Sequence, residues 1–154
     1  MMKSRLRKDY KPNNDYYTPD WIFEKLNLQF DLDVCAPTGG VAWIPATNHF
    51  DIKTDGLKQN WYGLVWCNPP FSDPKPFIDK FVAHSNGVML TQISRSKSFK
   101  LLWETSDAVI ILPGSLKFYH ATEGLKQIFM PCALFGYGKI ASSAMINSKI
   151  GKVR

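Results

Sequence analysis

Long apolar runs are missing from this chain: nothing in its 154 residues approaches the ~20 consecutive apolar positions of a bilayer-spanning helix. Met1 to Lys11 is charged and has no apolar stretch of the kind a secretion leader carries, so no export signal is expected. Cysteine is scarce. Cys35, Cys67 and Cys132 are three in number, with no Cys-x-x-Cys spacing and no histidine pair nearby. An odd, scattered set argues against a disulfide framework or a zinc site and for a reducing, cytoplasmic setting. His49, His84 and His120 are too widely separated to form a triad or a metal motif, so each reads as a surface or helix-end residue. A Gly-x-x-x-x-Gly-Lys loop is absent, which argues against an NTPase. Internal repeats and low-complexity segments are absent too.

What remains is a single domain long enough to bury a core, with an ordinary 45% hydrophobic fraction and ten Phe, five Trp and six Tyr. The net charge of +6 suits a polyanionic partner. Its distribution is uneven. Lys3, Arg5, Arg7, Lys8 and Lys11 crowd a basic arm over residues 1–14, and Lys149, Lys152 and Arg154 form a basic tail over 149–154. Either terminal run reads equally as a solvated tail or a phosphate-contacting arm. Arg95, Lys97 and Lys100 form a third cluster after an expected strand, nearer the motif described next.

The apolar run Gly63-Leu64-Val65-Trp66-Cys67 empties into Asn68-Pro69-Pro70-Phe71. A strand ending this way presents two acceptors, the Asn68 side-chain oxygen and the Pro69 carbonyl, able to grip both hydrogens of an exocyclic amino group. Pro69 and Pro70 fix φ and remove backbone donors, so the turn is stiff and its carbonyls stay free. Phe71 offers a flat face for stacking. Taken alone, the tetrapeptide is also compatible with an ordinary proline turn. Upstream, Phe30, Leu32 and Val34 alternate along a strand that stops at Asp33, Cys35, Ala36 and Pro37. Open α/β sheets bind ligands at such carboxyl ends, although an amphipathic edge strand has the same pattern. Thr18 is a good N-cap, Pro19 suits a first helical turn and Asp20 favours the positive helix end. The spacing predicts a helix to about Asn27 with Trp21, Ile22 and Leu26 inward. Thr54-Asp55-Gly56-Leu57, ahead of Trp61, places Asp55 in a turn.

In this order, Tyr17-Thr18-Pro19-x-Trp21, Leu32-Asp33-x-Cys35-Ala36, Asp55-Gly56-Leu57 with Trp61, and Asn68-Pro69-Pro70-Phe71 resemble the phage-type DNA N6-adenine methyltransferases. The resemblance covers roughly residues 15 to 140. It implies an α/β, Rossmann-like methyltransferase domain over residues 15–148, S-adenosylmethionine as methyl donor, and adenine in DNA as acceptor. By position, Tyr17, Thr18, Pro19, Asp33, Cys35, Ala36 and Asp55 would line the cofactor pocket. Asn68, Pro69, Pro70 and Phe71 would form the catalytic loop. Independently of the resemblance, the charge of Arg95, Lys97 and Lys100 and their place after a strand make them the residues expected to meet DNA. Kinship with phage enzymes also implies protection of viral DNA from restriction, in a host cytoplasm. Neither a metal nor a membrane is expected, and oligomeric state is left open.

The chain departs from the usual methyltransferase pattern at one place. Cys35-Ala36-Pro37-Thr38 comes first after the leading strand and Gly39-Gly40 only later. Val41 to Phe50 contains Pro45 and no helical apolar period, so the first helix is expected to be shortened or absent. Ser72-Asp73-Pro74 should cap a helix to about His84, with Phe77, Ile78, Phe81 and Val82 on one face. Val88 to Leu90 reads as a strand, Ser98 to Thr105 as a short helix, and Asp107 to Leu112 as a strand stopped by Pro113-Gly114. Leu116 to Tyr119 and Cys132 to Tyr137 read as a closing antiparallel pair, giving a mostly parallel sheet with an antiparallel edge. The loop from His120 to Pro131 reads as a connection or an insertion over the site.

Other chemistries compete. Pro131-Cys132 invites comparison with cytosine C5 methylation, but the apolar Cys132-Ala133-Leu134-Phe135 reads as a buried structural thiol. Asn-Pro-Pro-aromatic also serves RNA bases and protein glutamine. A catalytically inactive DNA-binding or anti-restriction module is the non-enzymatic alternative, and the intact Asp33, Asp55 and Asn68 speak against it.

Overall fold

Six strands form the main sheet: β2 (Phe30–Asp33), β3 (Ala46–His49), β4 (Val65–Cys67), β5 (Gly87–Gln92), β6 (Ala108–Ile111) and β9 (Cys132–Tyr137), in the order β3-β2-β4-β5-β9-β6. The computed structural model describes residues 16–112, 116–120, 124–127 and 131–154. The N-terminal basic residues, Pro113-Gly114 and much of the His120 to Pro131 segment lie outside that set. Strands β3, β2, β4 and β5 run parallel, while β9 is antiparallel to both of its neighbours, β5 and β6.

Alternation along the strands divides the core into two layers. Leu64, Trp66, Val88 and Leu90 face α1 (Asp20–Leu26) and α4 (Lys139–Ser148), meeting Ile22, Phe23, Leu26, Ala141 and Met145. Val65, Cys67 and Met89 face α2 (Lys75–His84) and α3 (Lys97–Thr105), meeting Ile78, Phe81 and Leu102. These are helices on both faces of a mostly parallel sheet. A second, three-stranded sheet pairs β1 (Tyr16–Tyr17) with β7 (Lys117–His120), and β7 with β8 (Gly124–Gln127).

Several expectations change. The antiparallel strand lies inside the sheet rather than at its edge, because all six residues of β9 are buried and need neighbours on both sides. Leu116 to Tyr119 therefore does not pair with it; β7, with exposed Lys117 and half-buried Tyr119 and His120, belongs to the smaller sheet. Thr18 does not cap α1. Pro19 is the N-cap residue and makes no side-chain cap bond, which leaves the Thr18 hydroxyl for another partner. Pro74 likewise heads α2 without a side-chain cap bond. Phe23, not Trp21, joins Ile22 and Leu26 on the inner face of α1. Between β2 and β3 no helix forms: hydrogen-bonded turns fill the segment, with Gly39 and Gly40 at φ of +83° and +77°.

The C-terminal residues fold back onto the outermost strand. Val153 bridges Ile110, Arg154 exchanges backbone bonds of 2.8 and 2.9 Å with Val109, and its guanidinium lies 4.2 Å from the Trp103 ring centroid. That cover shields the edge of β6 from pairing with another chain.

Candidate active site

The chain leaves β2, adds β3 on one side, and then crosses to add β4 on the other. A parallel sheet is open at such a reversal, and ligands bind beyond the carboxyl ends of the strands there. A cleft of about 440 Å³ lies at this point, lined by Tyr17, Thr18, Asp33 to Thr38, Phe50 to Ile52, Asp55 and Asn68 to Pro70 among others. The volume is within the ~300–1,000 Å³ usual for small-molecule and cofactor sites.

Asp33 ends β2 and is only 3% exposed. Its Oδ1 accepts one bond, from the Cys35 backbone N–H at 3.3 Å. Burial pushes the carboxyl up to about 7, against the lowering effect of that single N–H. A desolvated carboxyl with so little local compensation, facing a cleft, marks a site for a cationic or hydrogen-donating ligand. Trp66 contributes to the cleft wall, and its buried Nε1–H has no hydrogen-bond partner among the described residues.

The loop after β3 forms the opposite wall. Phe50 N–H donates to Asp33 O at 2.8 Å and Ala36 N–H to Phe50 O at 2.9 Å, so the two strand ends continue into one another. Asp51 Oδ1 accepts from Lys53 N–H (2.9 Å) and Thr54 N–H (3.2 Å), and its Oδ2 from Gly39 N–H (3.4 Å). Desolvation opposes ionisation of Asp51, but these three N–H groups and His49 outweigh it and hold the carboxyl below its ordinary value. Gly56 is required by close approach, since a Cβ there would stand 2.1 Å from the Val34 carbonyl oxygen. Trp61 Nε1–H donates to Gly56 O at 2.8 Å and Lys80 Nζ donates to Leu57 O at 2.9 Å, which explains why a tryptophan follows Asp-Gly-Leu. Asp55 is held at φ +55°, a left-handed geometry Asp tolerates better than most residues, with Lys58 Nζ 3.8 Å from its Oδ2.

Asn68 follows β4 directly. Its Nδ2 donates to Thr18 Oγ1 at 3.1 Å, and Oδ1 accepts no bond among the described residues. Thr18 is fully buried, and its carbonyl accepts from Trp43 Nε1 at 2.8 Å. Beside it, Pro69 and Pro70 also line the cleft.

A family model described as DNA N-6-adenine-methyltransferase (Dam) matches residues 3–129. The chain belongs to that family. A relative from Haemophilus phage HP1 (strain HP1c1), named DNA N-6-adenine-methyltransferase, is 32% identical over 90 residues, covering 55% of this chain and 49% of the relative. The chain thus spans about half the length of that phage protein.

The family motifs converge in the structure. Tyr17, Thr18, Asp33, Cys35, Ala36, Asp55, Asn68, Pro69 and Pro70 line one cleft although they come from four separate stretches of sequence. Pro19 is displaced from it as the cap of α1. Phe71 is displaced as well: it is 6% exposed and packs in the core cluster with Leu112, Leu116 and Phe118, so its ring is not a surface of the cleft. Arg95, Lys97 and Lys100 are exposed beyond the carboxyl end of β5, the same edge of the sheet as the cleft, and Lys100 Nζ lies 3.6 Å from Glu104.

Burial pushes the Cys35 and Cys132 thiols up to about 12, with Asp33 adding to the shift at Cys35, so neither supplies a thiolate near neutral pH. No group of His, Cys, Asp and Glu among the described residues is arranged to hold a metal, and no described helix is long and apolar enough to cross a membrane. Asp51 and Trp43 lie outside the motifs legible in the sequence. The Asp51-x-x-Thr54 spacing, typical of a side-chain-closed turn, was the available signal for the first; Trp43 had none.

Proposed function

We propose that the chain transfers a methyl group from S-adenosylmethionine to the N6 amine of adenine in DNA, on a Rossmann-like methyltransferase sheet. The donor supplies a methyl carbon activated by a sulfonium. The residues fit such a ligand: the buried, weakly compensated Asp33 suits a cation or hydrogen donor, and Val34, Phe50 and Leu57 provide apolar wall. Asp51, at the carboxyl end of the strand beside β2, occupies the position where α/β sheets offer an acid to ribose hydroxyls. Tyr17, Cys35, Ala36 and Asp55 complete the pocket.

Adenine N6 is a weak nucleophile because its lone pair is delocalised into the ring. Asn68 Oδ1 and Pro69 O accept its two hydrogens, fixing the nitrogen toward the methyl carbon. This is catalysis by orientation and by preorganised dipoles, and no covalent enzyme intermediate is needed. The adenine leaves the DNA stack to reach the cleft, at a cost of a few kcal/mol. Phe71 braces the loop from within the core. Arg95 and Lys97 meet phosphates along the rim; Lys100, paired with Glu104, contributes less.

One observation supports this reading: Asn68, which lines the cleft together with Asp33, is held through its amide nitrogen, and its oxygen accepts no bond among the described residues. Asn68→Ala should nearly abolish methyl transfer to DNA while leaving cofactor affinity within a few-fold. Wild-type turnover by that variant refutes the assignment.

A further inference from the structure

We infer that Thr18 is a positioning residue for Asn68, a role distinct from the cofactor contact implied by its place in the Tyr-Thr-Pro motif; the inference rests on the reading of Asn68 given above. An asparagine amide offers an acceptor on one side and a donor on the other. Only one of its two orientations serves a substrate that brings two N–H donors. In that orientation the Nδ2 hydrogens turn away from the substrate and need an acceptor of their own.

Thr18 Oγ1 supplies it at 3.1 Å. The acceptor is built in rather than incidental. Thr18 is fully buried, so its hydroxyl is fixed by its surroundings and shielded from bulk solvent. Its carbonyl is tied to Trp43 Nε1 at 2.8 Å, Tyr16 and Tyr17 before it pair with β7, and Pro19 after it restricts its backbone to the extended region. The hydroxyl therefore stands at a fixed point across from the amide. Without it, the part-buried Nδ2 donor of the productive orientation loses its partner, and the amide is free to rotate or to turn its N–H toward the substrate amine. The hydroxyl thus acts on the fraction of Asn68 oriented for catalysis and leaves the pocket walls unchanged.

The test compares Thr18→Ser with Thr18→Ala. Both remove the methyl group and leave similar space, but only serine keeps an acceptor. Single-turnover methyl transfer to DNA should be at least about tenfold faster with serine than with alanine, the order expected for one buried hydrogen bond. S-adenosylmethionine affinity, measured by calorimetry, should agree within about twofold between the two variants on the same reasoning. Should alanine prevent folding, Thr18→Val, which fills the native space without the hydroxyl, repeats the comparison against the wild type. Equal rates for serine and alanine overturn the inference. So does a rate loss matched by an equal loss of cofactor affinity, which returns Thr18 to the cofactor pocket. Asn68→Ala run in parallel separates the two levels: if it is inactive while the Thr18 pair is equal, only the positioning role fails, and if it is fully active, the reading of Asn68 itself fails.

Discussion

Asp33→Asn should make the ligand-free protein more stable and weaken its binding of the cofactor. The carboxyl stands at about 7 instead of its ordinary 3.8 because burial penalises its charge. A shift of that size corresponds to about 4 kcal/mol of destabilisation of the ionised form relative to the unfolded chain. The sign follows from proton counts. Between the unfolded and folded values the native state holds the proton and the unfolded chain does not, so stability falls as pH rises from about 4 to 7 and stays low above that. Cys35 and Cys67, whose thiols burial raises far above neutrality, do not titrate in this window. Asparagine keeps the shape and the acceptor for Cys35 N–H but carries no charge. Allowing for water in the open cleft, a gain of roughly 2–3 kcal/mol at pH 8 is expected, or about 5–10 °C in Tm. The gap should nearly close at pH 4. Thermal unfolding of both proteins at the two pH values reads this directly, and calorimetry at pH 8 should find cofactor affinity reduced at least about tenfold in the variant, as for loss of a charge-assisted hydrogen bond. In the wild type, cofactor affinity should rise as pH increases through about 7. Equal or lower stability of Asp33→Asn at pH 8, together with unchanged cofactor affinity, refutes the reasoning.

Three further outcomes follow from the same geometry. Trp61→Phe removes the 2.8 Å bond to Gly56 O and should cost about 1 kcal/mol, with cofactor affinity lowered because the Asp55 loop loses its brace; thermal melts and calorimetry check both. Gly56→Ala forces a Cβ against the Val34 carbonyl oxygen and should destabilise by about 1–3 kcal/mol, read as a lower midpoint in denaturant. Cys132→Ala should retain methyl transfer, because that buried thiol is neutral near pH 7; complete loss of transfer in a folded variant would point to a covalent mechanism instead.

The four motifs were legible in the sequence because each is a local device: a Thr-Pro helix start, a strand end with an acid, an Asp-Gly turn and a proline elbow. What brought them together was not. The β2–β4 adjacency depends on the order in which strands join the sheet, and β9 entered between β5 and β6 because its six buried residues need partners on both sides, a long-range requirement. Helix α4 has a weak sequence signal because Ser142, Ser143 and Ser148 dilute its apolar face; Ala141 and Met145 carry the packing. Thr18 looked like a helix cap on propensity alone, yet Pro19 took that position and freed the hydroxyl for Asn68. Phe71 reads as a stacking platform, and the hydrophobic effect draws it into the core cluster instead.

The most direct measurement is to incubate the protein with S-adenosylmethionine and unmethylated DNA, digest the DNA to nucleosides and quantify them by mass spectrometry, with Asn68→Ala alongside. N6-methyladenine should accumulate with the wild type and fall to background with the variant. No methylated adenine from the wild type, or equal amounts from both proteins, would contradict the account.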